Sequence, residues 1–277
     1  MFTRIPIAGA LCLLVAAGAA TAQDTAQPEL RWWKGNTHTH SLWSDGDMAP
    51  ELIAQWYVDR GYHFLAFSEH NLLQEGERHT TIREETKLSP ARVAPIREQF
   101  GDDWLDIDDS GRFPRMRLKT HEELSAHFNK PGEFLLIQAE EITTLGGVPH
   151  VNAVNLIERI PGRPGDIEAL IHQYLRDLHE QRQRTGQPMI AHVNHLNFSQ
   201  AIKAEELLRV EHLDFFEIYN GHPGVNQWGH DERGLPTNDR IWDIVLSLRL
   251  REDPRFMLYG VGTDDAHKYG DWGPRES

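Results

Sequence analysis

Short apolar runs alternate with amphipathic stretches along most of this chain. Seven runs have the length and the β-branched or aromatic content of buried strands. They cover residues 31–36, 63–67, 134–139, 151–155, 188–193, 215–219 and 257–262. Segments with helical features lie between them, and strands that alternate with helices are typical of parallel β/α architecture. The pattern therefore predicts an α/β fold with a closed or nearly closed barrel of seven strands.

The predicted helices have recognisable start and stop residues. Pro50 stands at a first-turn position and Gly61 follows the apolar pattern, which predicts a helix over 50–60. Thr120 and Glu123 have the spacing of a capping box. Three further helices are predicted: one over 166–184, one over 200–209 with Ser199 as its cap, and one from Thr237 or Asn238 to about Leu250.

Residues 74–117 interrupt this alternation. The segment is highly charged, with several aspartates close together between residues 102 and 109. It has no clear apolar period, which leaves two interpretations open. It is either a solvated insertion or a lid over the mouth of the barrel, since long loops of this kind are often functional.

The first 22 residues have the pattern of a secretory signal peptide. Arg4 supplies a positive charge, residues 7–20 form an apolar stretch, and Ala20-Thr21-Ala22 provides small residues for cleavage. The apolar stretch is short for a membrane anchor. We therefore expect a periplasmic or secreted protein whose mature chain starts near Gln23. The single cysteine, Cys12, belongs to the signal, so we expect no disulfide and no thiol chemistry in the mature chain.

The overall charge narrows the range of partners. The chain has 277 residues and a formal net charge of −14, and an acidic protein repels nucleic-acid backbones and anionic lipids. Bound dications can still make a site locally positive. We therefore expect no nucleic-acid partner and no stable membrane anchor, while a small anionic substrate stays compatible with a metal site. The sequence makes no prediction about the oligomeric state.

Metal-ligand residue types recur where the predicted strands end. His38 and His40 are two residues apart, so in a strand both side chains point to one side. Alone, this pair fits a metal site as well as it fits ordinary surface or core histidines. The other strand ends carry Glu69-His70, Glu140-Glu141, His150, His192 with Asn194 and His195, Glu217 with Asn220 and His222, and Asp264-Asp265 with His267. Because the carboxyl ends of barrel strands converge on one face, this joint placement predicts a metal site there.

These motifs resemble those of the PHP (polymerase and histidinol phosphatase) family. They keep the family's order from about Gly35 to His267: His38-Thr39-His40, Ser44-Asp45-Gly46, Glu69-His70, Glu141, His150, Ala191-His192 and Asp265-Ala266-His267. The resemblance implies a distorted (β/α)7 TIM-like barrel with two or three divalent metal ions, zinc, manganese or iron, at its C-terminal mouth. The run from Glu217 to Gly221 looks like the exported branch grouped with carbaryl-hydrolase-type metallohydrolases.

The resemblance also implies a set of ligands. Residue by residue, the expected ligands are His38, His40, Asp45, His70, Glu141, His150, His192, Asp265 and His267. Glu140 and Asp264 are then expected to orient ligating imidazoles. Asp45 stands where many members have histidine, which leaves a third metal open. Relatives usually continue with another strand and helix, so we expect the metallohydrolase domain, 23–277, to be incomplete at Ser277 or to close unusually.

The implied activity is that of a phosphoesterase. A hydroxide held between the metals is the expected nucleophile at phosphorus. The other predicted roles are protonation of the leaving group by His195 or His222, contact with the substrate by Glu217 and Asn220, and phosphate binding by Arg233 and Lys268. Two alternatives stay open: hydrolysis of a carbamate, ester or amide at the same site, and a protein that binds metal without turnover.

Overall fold

Seven of the twelve strands in the described part of the chain make one large sheet. The computed structural model describes residues 30–145, 147–270 and 273–274. Its strands are β1 (Gly35–Asn36), β2 (Phe64–His70), β3 (His79–Thr81), β4 (Ile107–Asp108), β5 (Arg115–Arg117), β6 (Leu135–Thr143), β7 (His150–Val154), β8 (Ile190–Val193), β9 (Phe215–Asn220), β10 (Tyr259–Thr263), β11 (Tyr269–Gly270) and β12 (Gly273–Pro274). The large sheet has the order β1-β2-β6-β7-β8-β9-β10, a small sheet has the order β3-β5-β4, and β11 pairs with β12.

Strand β7 runs against its neighbours, although the sequence predicted parallel strands throughout. Every other neighbouring pair in the large sheet is parallel, whereas β7 is antiparallel to both β6 and β8. The connection from Thr143 to His150 is shorter than the roughly twelve residues that a parallel crossover needs. The chain therefore turns back directly, and His150 pairs with Thr143 at the carboxyl end of β6.

The sheet closes at the end where the metal-ligand residue types lie. Beyond β1 and β10, the two chain segments meet in a parallel bridge between Thr39 and Ala266. The backbone N–H of His40 donates to the carbonyl of Ala266 at 3.1 Å, and the N–H of Asp265 donates to the carbonyl of His38 at 3.0 Å. These bonds join the first and the last strand of the sheet, which confirms the predicted seven-stranded α/β barrel.

The helices begin largely where the sequence predicted them. They are α1 (Pro50–Asp59), α2 (Pro90–Phe100), α3 (His121–Phe128), α4 (Ile167–Thr185), α5 (Ala204–Leu207) and α6 (Asn238–Glu252). Thr120 and Glu123 form the capping box of α3, and the side chain of Thr237 caps α6. No helix in the described part is long and apolar enough to cross a membrane. The predicted signal peptide, 1–22, lies outside the described residues.

The helix predicted over 200–209 is wrong. Helix α5 covers only Ala204–Leu207, after a short 3-10 turn at Phe198–Gln200. Ser199 has a φ of 53°, a left-handed conformation that interrupts a right-handed helix. The chain first passes the barrel mouth with His195 buried there, and it becomes helical only after Ile202 has entered the core.

Residues 74–117 fold into secondary structure of their own. Strands β3, β5 and β4 pair in antiparallel fashion, and α2 connects β3 to the rest of this small sheet. Leu88, Ile96 and Met116 of this segment form one buried apolar cluster with Leu42 and Trp43, which follow β1. The segment therefore supports the loop after β1. Its apolar residues are spread over a turn, a helix and a strand, so no single period is visible in the sequence.

The main apolar core lies between the barrel and the helices that cover it. Ile171 and Tyr174 of α4 and Val245 of α6 belong to one buried cluster with Val193 of β8 and Phe216 of β9. Burial of each such side chain contributes roughly 1.5–3 kcal/mol. This packing holds the strand ends in fixed relative positions, which matters because the candidate site is built on them.

Candidate metal centre

Eight of the nine expected metal ligands come together at the closed end of the barrel. They form three groups in which one ligand atom from each residue lies within 4.8 Å of the others. We call them the inner group (His38, His40, Glu141 and Asp265), the outer group (His40, Asp45, His70 and His267) and the side group (His70, Glu141 and His150). Some residues belong to two groups, so the three groups are contiguous.

The inner group is buried, and its ligand atoms converge on one point. His38 Nε2 lies 3.3 Å from Glu141 Oε2 and 3.1 Å from Asp265 Oδ1. His40 Nε2 lies 3.3 Å and 3.2 Å from the same two oxygens. Within the described part of the chain, none of these four buried atoms has a hydrogen-bond partner. Leaving one such atom unsatisfied costs about 1–3 kcal/mol, and a cation that bound all four would remove this cost.

The spacing of these four atoms fits a divalent cation. Ligands about 2.0–2.1 Å from a tetrahedral metal stand roughly 3.3 Å from one another. The imidazole nitrogens and carboxylate oxygens of the inner group have this separation. Two imidazoles with two carboxylates suit zinc, manganese or iron. The residues present therefore fit the kind of metal that the motifs imply.

Glu141 connects the inner group with further imidazoles. Its Oε2 faces the inner group, while its Oε1 lies 2.9 Å from His150 Nδ1 and 3.2 Å from His195 Nε2. The side-chain amide of Asn194 donates to the same Oε1 at 2.8 Å. A carboxylate with one oxygen on each side is suited to bridge two cations, as in two-metal hydrolases. The reversed direction of β7 is what places His150 beside Glu141.

His195, for which the sequence predicted protonation of the leaving group, lies beside Glu141, and neither His195 nor the expected ligand His192 is in the three groups. His192 Nε2 lies 3.1 Å from Thr37 Oγ1, its Nδ1 lies 3.9 Å from a Glu217 oxygen, and it belongs to none of the three groups. Burial lowers the pKa of His192 to about 4. His195 has a φ of 24°, a conformation that non-glycine residues adopt at a cost and mainly at functional sites. Its ring lies 4.9 Å from that of His150.

The outer group is closer to solvent than the inner group. The Asp45 side chain is 50% exposed, and its oxygens lie 3.5 Å from His70 Nε2 and 3.4 Å from His267 Nε2. The ring of His40 stacks on those of His267 and His70, with centroids 4.1 Å and 4.5 Å apart. The structure therefore brings Asp45 to the cluster, with one carboxylate among three imidazoles.

Glu217 lies behind the inner group, although the sequence predicted it as a substrate contact. The residue is fully buried, and its Oε1 lies 2.5 Å from His38 Nδ1. It also accepts hydrogen bonds from Thr263 Oγ1 at 2.7 Å, the backbone N–H of His195 at 2.7 Å and Asn220 Nδ2 at 2.8 Å. Burial alone would raise the pKa of Glu217, but His38 outweighs burial and the pKa falls to about 2. Glu217 therefore orients His38 as a carboxylate.

Asn220 supports Asp265 from the same side. It is buried, and its Nδ2 donates to Asp265 Oδ2 at 3.0 Å. The other carboxylate oxygen of Asp265 then faces the inner group, and the φ of Asp265, 47°, is again left-handed. Neither Glu217 nor Asn220 is among the described residues that line the cavity over the cluster. Their contacts indicate a role in positioning ligands.

The two carboxylates expected to orient imidazoles have other partners, so that prediction is wrong. Glu140 accepts from the backbone N–H of Ile160 at 2.8 Å and lies 3.6 Å from Arg159, and burial raises its pKa to about 8. Asp264 accepts from the hydroxyl of Tyr57 at 2.5 Å. Glu140 and Glu141 are successive residues of β6, and successive strand residues point to opposite faces, so Glu140 points away from the imidazoles around Glu141.

Negative charge dominates the inner group. Burial alone would lower the pKa of His38. The carboxylates of Asp265, Glu217 and Glu141 outweigh burial and raise that pKa well above its ordinary value. Carboxylates that stabilise an imidazolium in this way also stabilise a dication, which carries more charge. The electrostatics therefore agree with the geometry.

A cavity of about 440 Å³, which we call the mouth cavity, opens over the cluster. Its lining includes His195, His222 and Lys268 together with members of all three groups. The ring of His222 lies 5.2 Å from that of His267. Arg233 lies exposed in the 3-10 turn Asp231–Arg233 and is not among the described lining residues. Of the two predicted phosphate-binding residues, the structure brings only Lys268 to the cavity.

Four other lining residues were not identified from the sequence: Asp47, Lys87, Phe198 and Val225. Lys87 belongs to segment 74–117, and its Nζ donates to the backbone carbonyl of Asp45. Phe198 lies beside the rings of His195 and His150, with centroids 5.1 Å and 6.1 Å away. No local pattern marks these positions, because each lies in a connection whose course depends on the fold.

Comparison with known proteins gives similar structures but no sequence match. No protein-family model matches the chain, and no curated protein matches it either. Three solved structures are similar. A two-domain Bacteroides vulgatus protein that contains a predicted PHP-like metal-dependent phosphoesterase is 18% identical (TM-score 0.43), over 85% of this chain and 52% of that one.

The other two structures are similarly distant. PsfC from Pseudomonas syringae is 13% identical (TM-score 0.39), over 84% of this chain and 75% of that one. A Bifidobacterium adolescentis protein, described as a metal-dependent phosphoesterase, is 13% identical (TM-score 0.45), over 89% and 92%. This chain spans about half the length of the Bacteroides protein. Two of these three structures are described as metal-dependent phosphoesterases, one of them as PHP-like.

Proposed function

We propose that this protein is a metal-dependent hydrolase that cleaves small phosphoesters. The observation that carries the proposal is the inner group, where four buried ligand atoms converge with no hydrogen-bond partner among the described residues. Cations bound there would supply Lewis-acid activation of water and of the phosphoryl group. The alternative of a binding protein without turnover is less suited to a cluster that lies open to a cavity of substrate size.

The groups suggest how the cations would be shared. The inner group would hold one cation, and the side group, His70 with Glu141 and His150, would hold a second, with His195 Nε2 3.2 Å from Glu141 Oε1 beside it. The outer group, with Asp45 as its single nearby carboxylate, would hold a third. Glu217 would keep the His38 ring oriented through its Nδ1. Such support typically changes metal affinity about 10- to 100-fold.

The charge of the site favours an anionic substrate. Asp45, Glu141 and Asp265 contribute three negative charges, and two or three dications would exceed them. A phosphoester would then be attracted locally although the whole chain is acidic. A neutral carbamate or ester would not gain from this attraction.

His222 is suited to donate a hydrogen bond to the leaving group. It lines the mouth cavity, and its Nδ1 accepts the backbone N–H of Gly224 at 3.0 Å. A neutral ring that accepts at Nδ1 carries its proton on Nε2. In the overall reaction the oxygen of water bonds to phosphorus, the phosphorus–oxygen bond to the leaving group breaks, and the released oxygen takes the proton that the water gives up. We assign to His222 Nε2–H the hydrogen bond that stabilises the released oxygen.

Metal analysis of the purified protein, combined with a substrate panel, tests the proposal. We expect phosphate release from p-nitrophenyl phosphate when manganese or zinc is supplied, and none after treatment with a chelator. Hydrolysis of aryl esters or carbamates without any hydrolysis of phosphoesters would contradict the phosphoesterase assignment. Two or more metals bound per chain with no turnover on either panel would indicate a binding protein.

A further inference from the structure

The mouth cavity has two chemically different sides. Lys87 contacts the loop after β1 at Asp45, a member of the outer group, and Lys268, Asp45 and Asp47 line the cavity near the same loop. Phe198 lines it beside the rings of His195 and His150. His70 stands between these two ends: its ring lies 5.8 Å from that of His150, and its Nε2 lies 3.5 Å from Asp45 Oδ2. A substrate bound over the cluster would therefore meet Lys87 at one end and the ring of Phe198 at the other.

Local contacts hold the two lysines of the cavity near the loop after β1. Lys87 donates to the carbonyl of Asp45, and the backbone N–H of Asp47 donates to the carbonyl of His267 at 2.9 Å, directly before Lys268. Both lysines are thus attached to the same loop. They are the only lysine or arginine side chains among the described residues that line the cavity. Lysine binds phosphate as a compact point charge.

The apolar side is built beside the side group. The ring of Phe198 lies 5.1 Å from that of His195 and 6.1 Å from that of His150. Val225 lines the cavity elsewhere: its N–H donates to the carbonyl of His222 at 3.0 Å, and the ring of His222 lies 5.2 Å from that of His267 in the outer group. The apolar end of the cavity is therefore the ring of Phe198, next to His195.

We propose that the preferred substrate is a phosphomonoester with an apolar or aromatic leaving group. The dianionic phosphoryl group lies over the cluster towards Lys87, and the leaving group packs against the ring of Phe198. This inference rests on the proposed phosphoesterase function and adds the substrate class. It also gives segment 74–117 a role in specificity, because that segment supplies Lys87.

The first test concerns Lys87. In Lys87→Gln, we expect the KM for benzyl phosphate and the Kd for inorganic phosphate, measured by calorimetry on the metal-loaded protein, to rise roughly five- to tenfold, as for loss of one exposed charge-assisted contact. Lys87→Arg retains the charge and should restore most of the binding. Arg112→Gln removes a cation from the same segment at an exposed position outside the lining and serves as the matched control.

The second test concerns the leaving group. Benzyl phosphate and ethyl phosphate leave as alcohols of similar basicity but differ in apolar surface, so their kcat/KM ratio reports the apolar side. We expect Phe198→Ala to reduce this ratio roughly tenfold, as for loss of one ring contact, and Phe198→Leu to reduce it less. Circular dichroism and metal content show whether each variant is folded and loaded.

The outcomes separate this inference from the proposed function. If the wild-type protein hydrolyses no phosphomonoester, the proposed function fails and the substrate class fails with it. If it hydrolyses them while Lys87→Gln binds phosphate like Arg112→Gln and Phe198→Ala keeps the wild-type substrate ratio, the function stands and this inference is overturned. A phosphodiester hydrolysed faster than the corresponding monoester would also overturn it, because a diester has only one negative charge for the lysines.

Discussion

Glu217 holds the first imidazole of the metal centre from behind: its Oε1 lies 2.5 Å from His38 Nδ1, and both side chains are fully buried. When Nδ1 carries the ring proton towards this carboxylate, Nε2 keeps its lone pair for the inner group. The two residues are 179 positions apart in the chain. The orientation of His38 therefore depends on closure of the barrel and not on its own strand.

We predict that Glu217→Gln weakens metal binding without unfolding the protein. The amide keeps the size of the side chain but loses the negative charge that faces His38 Nδ1. We expect the affinity of the tightest metal to fall about 10- to 100-fold, measured by competition with a chromogenic chelator. Activity at limiting metal should fall in parallel and should recover in part when metal is in excess.

Glu140→Gln is the matched control for this substitution. Glu140 is also a fully buried glutamate, on β6, but it contacts Ile160 and Arg159 and no imidazole. Because burial raises the pKa of Glu140 to about 8, this variant removes little charge at pH 7 and controls for an amide at a buried glutamate position. It should leave metal affinity within about twofold of the wild-type value, since contacts behind the ligands matter only through the ligands that they orient. Equal losses of affinity in both variants would show that Glu217 acts through general stability instead of through His38.

The two histidines after β8 should respond differently to alanine. His195→Ala removes a ring beside Glu141 Oε1 and the mouth cavity, so we expect loss of one bound metal and a fall in kcat of at least about 100-fold. His192→Ala removes a ring that contacts Thr37 Oγ1 and that is not among the described residues lining the mouth cavity. We expect that variant to keep its metal content and to lose stability, by about 1–3 kcal/mol in urea unfolding.

Metal analysis of both variants decides the assignment. If His192→Ala loses one metal while His195→Ala keeps all of them, the ligand is His192, as the motif Ala191-His192 implied, and the ring of His195 must then move when metal binds.

Much of the site could be predicted from the sequence because it is built on strand ends. His38, His40 and Glu141 extend from apolar runs whose period is clear, and barrel geometry brings such ends together. The antiparallel course of β7 was missed because an apolar run carries no sign of its direction. The short connection from Thr143 to His150 was the available signal.

The rest of the site depends on contacts that no local pattern records. Glu217 was recognised as important but was placed on the wrong side of the ligands, because alternation along β9 does not reveal what stands behind the neighbouring strand. Lys87 reaches the cavity only through the packing of segment 74–117 on the loop after β1. The role of a residue in a long connection depends on the path of that connection in the fold, so it can be recognised only from the structure.

The pH dependence of stability should contain a contribution from His121, away from the metal centre. Burial lowers the pKa of His121 from its ordinary 6.5 to about 4, and its Nε2 lies 3.1 Å from Ser125 Oγ. The unfolded chain therefore binds more protons than the folded protein between these pH values. The free energy of unfolding should fall as pH decreases from 6.5 to 4, by at most about 3 kcal/mol from this group.

Urea unfolding of wild type and His121→Gln between pH 4 and pH 7.5 measures this contribution. The histidines of the metal centre titrate in both proteins, so the difference between the two curves isolates His121. We expect the difference in unfolding free energy to shift in favour of the variant as pH falls below 6.5 and to be constant above it. Parallel curves over the whole range would contradict the assignment.

The number of bound metals should differ between a variant of Glu141, which two groups share, and a variant of Asp45, which belongs to the outer group alone. Glu141 contributes one oxygen to the inner group and the other to His150 and His195, so Glu141→Gln should lose about two cations and nearly all activity. Asp45 belongs to the outer group alone and is half exposed, so Asp45→Asn should lose about one cation and retain measurable activity. Elemental analysis of both variants, purified with the same metal supplement, provides the comparison. Equal metal contents in Asp45→Asn and wild type would mean that the outer group holds no cation and that the centre is a two-metal site.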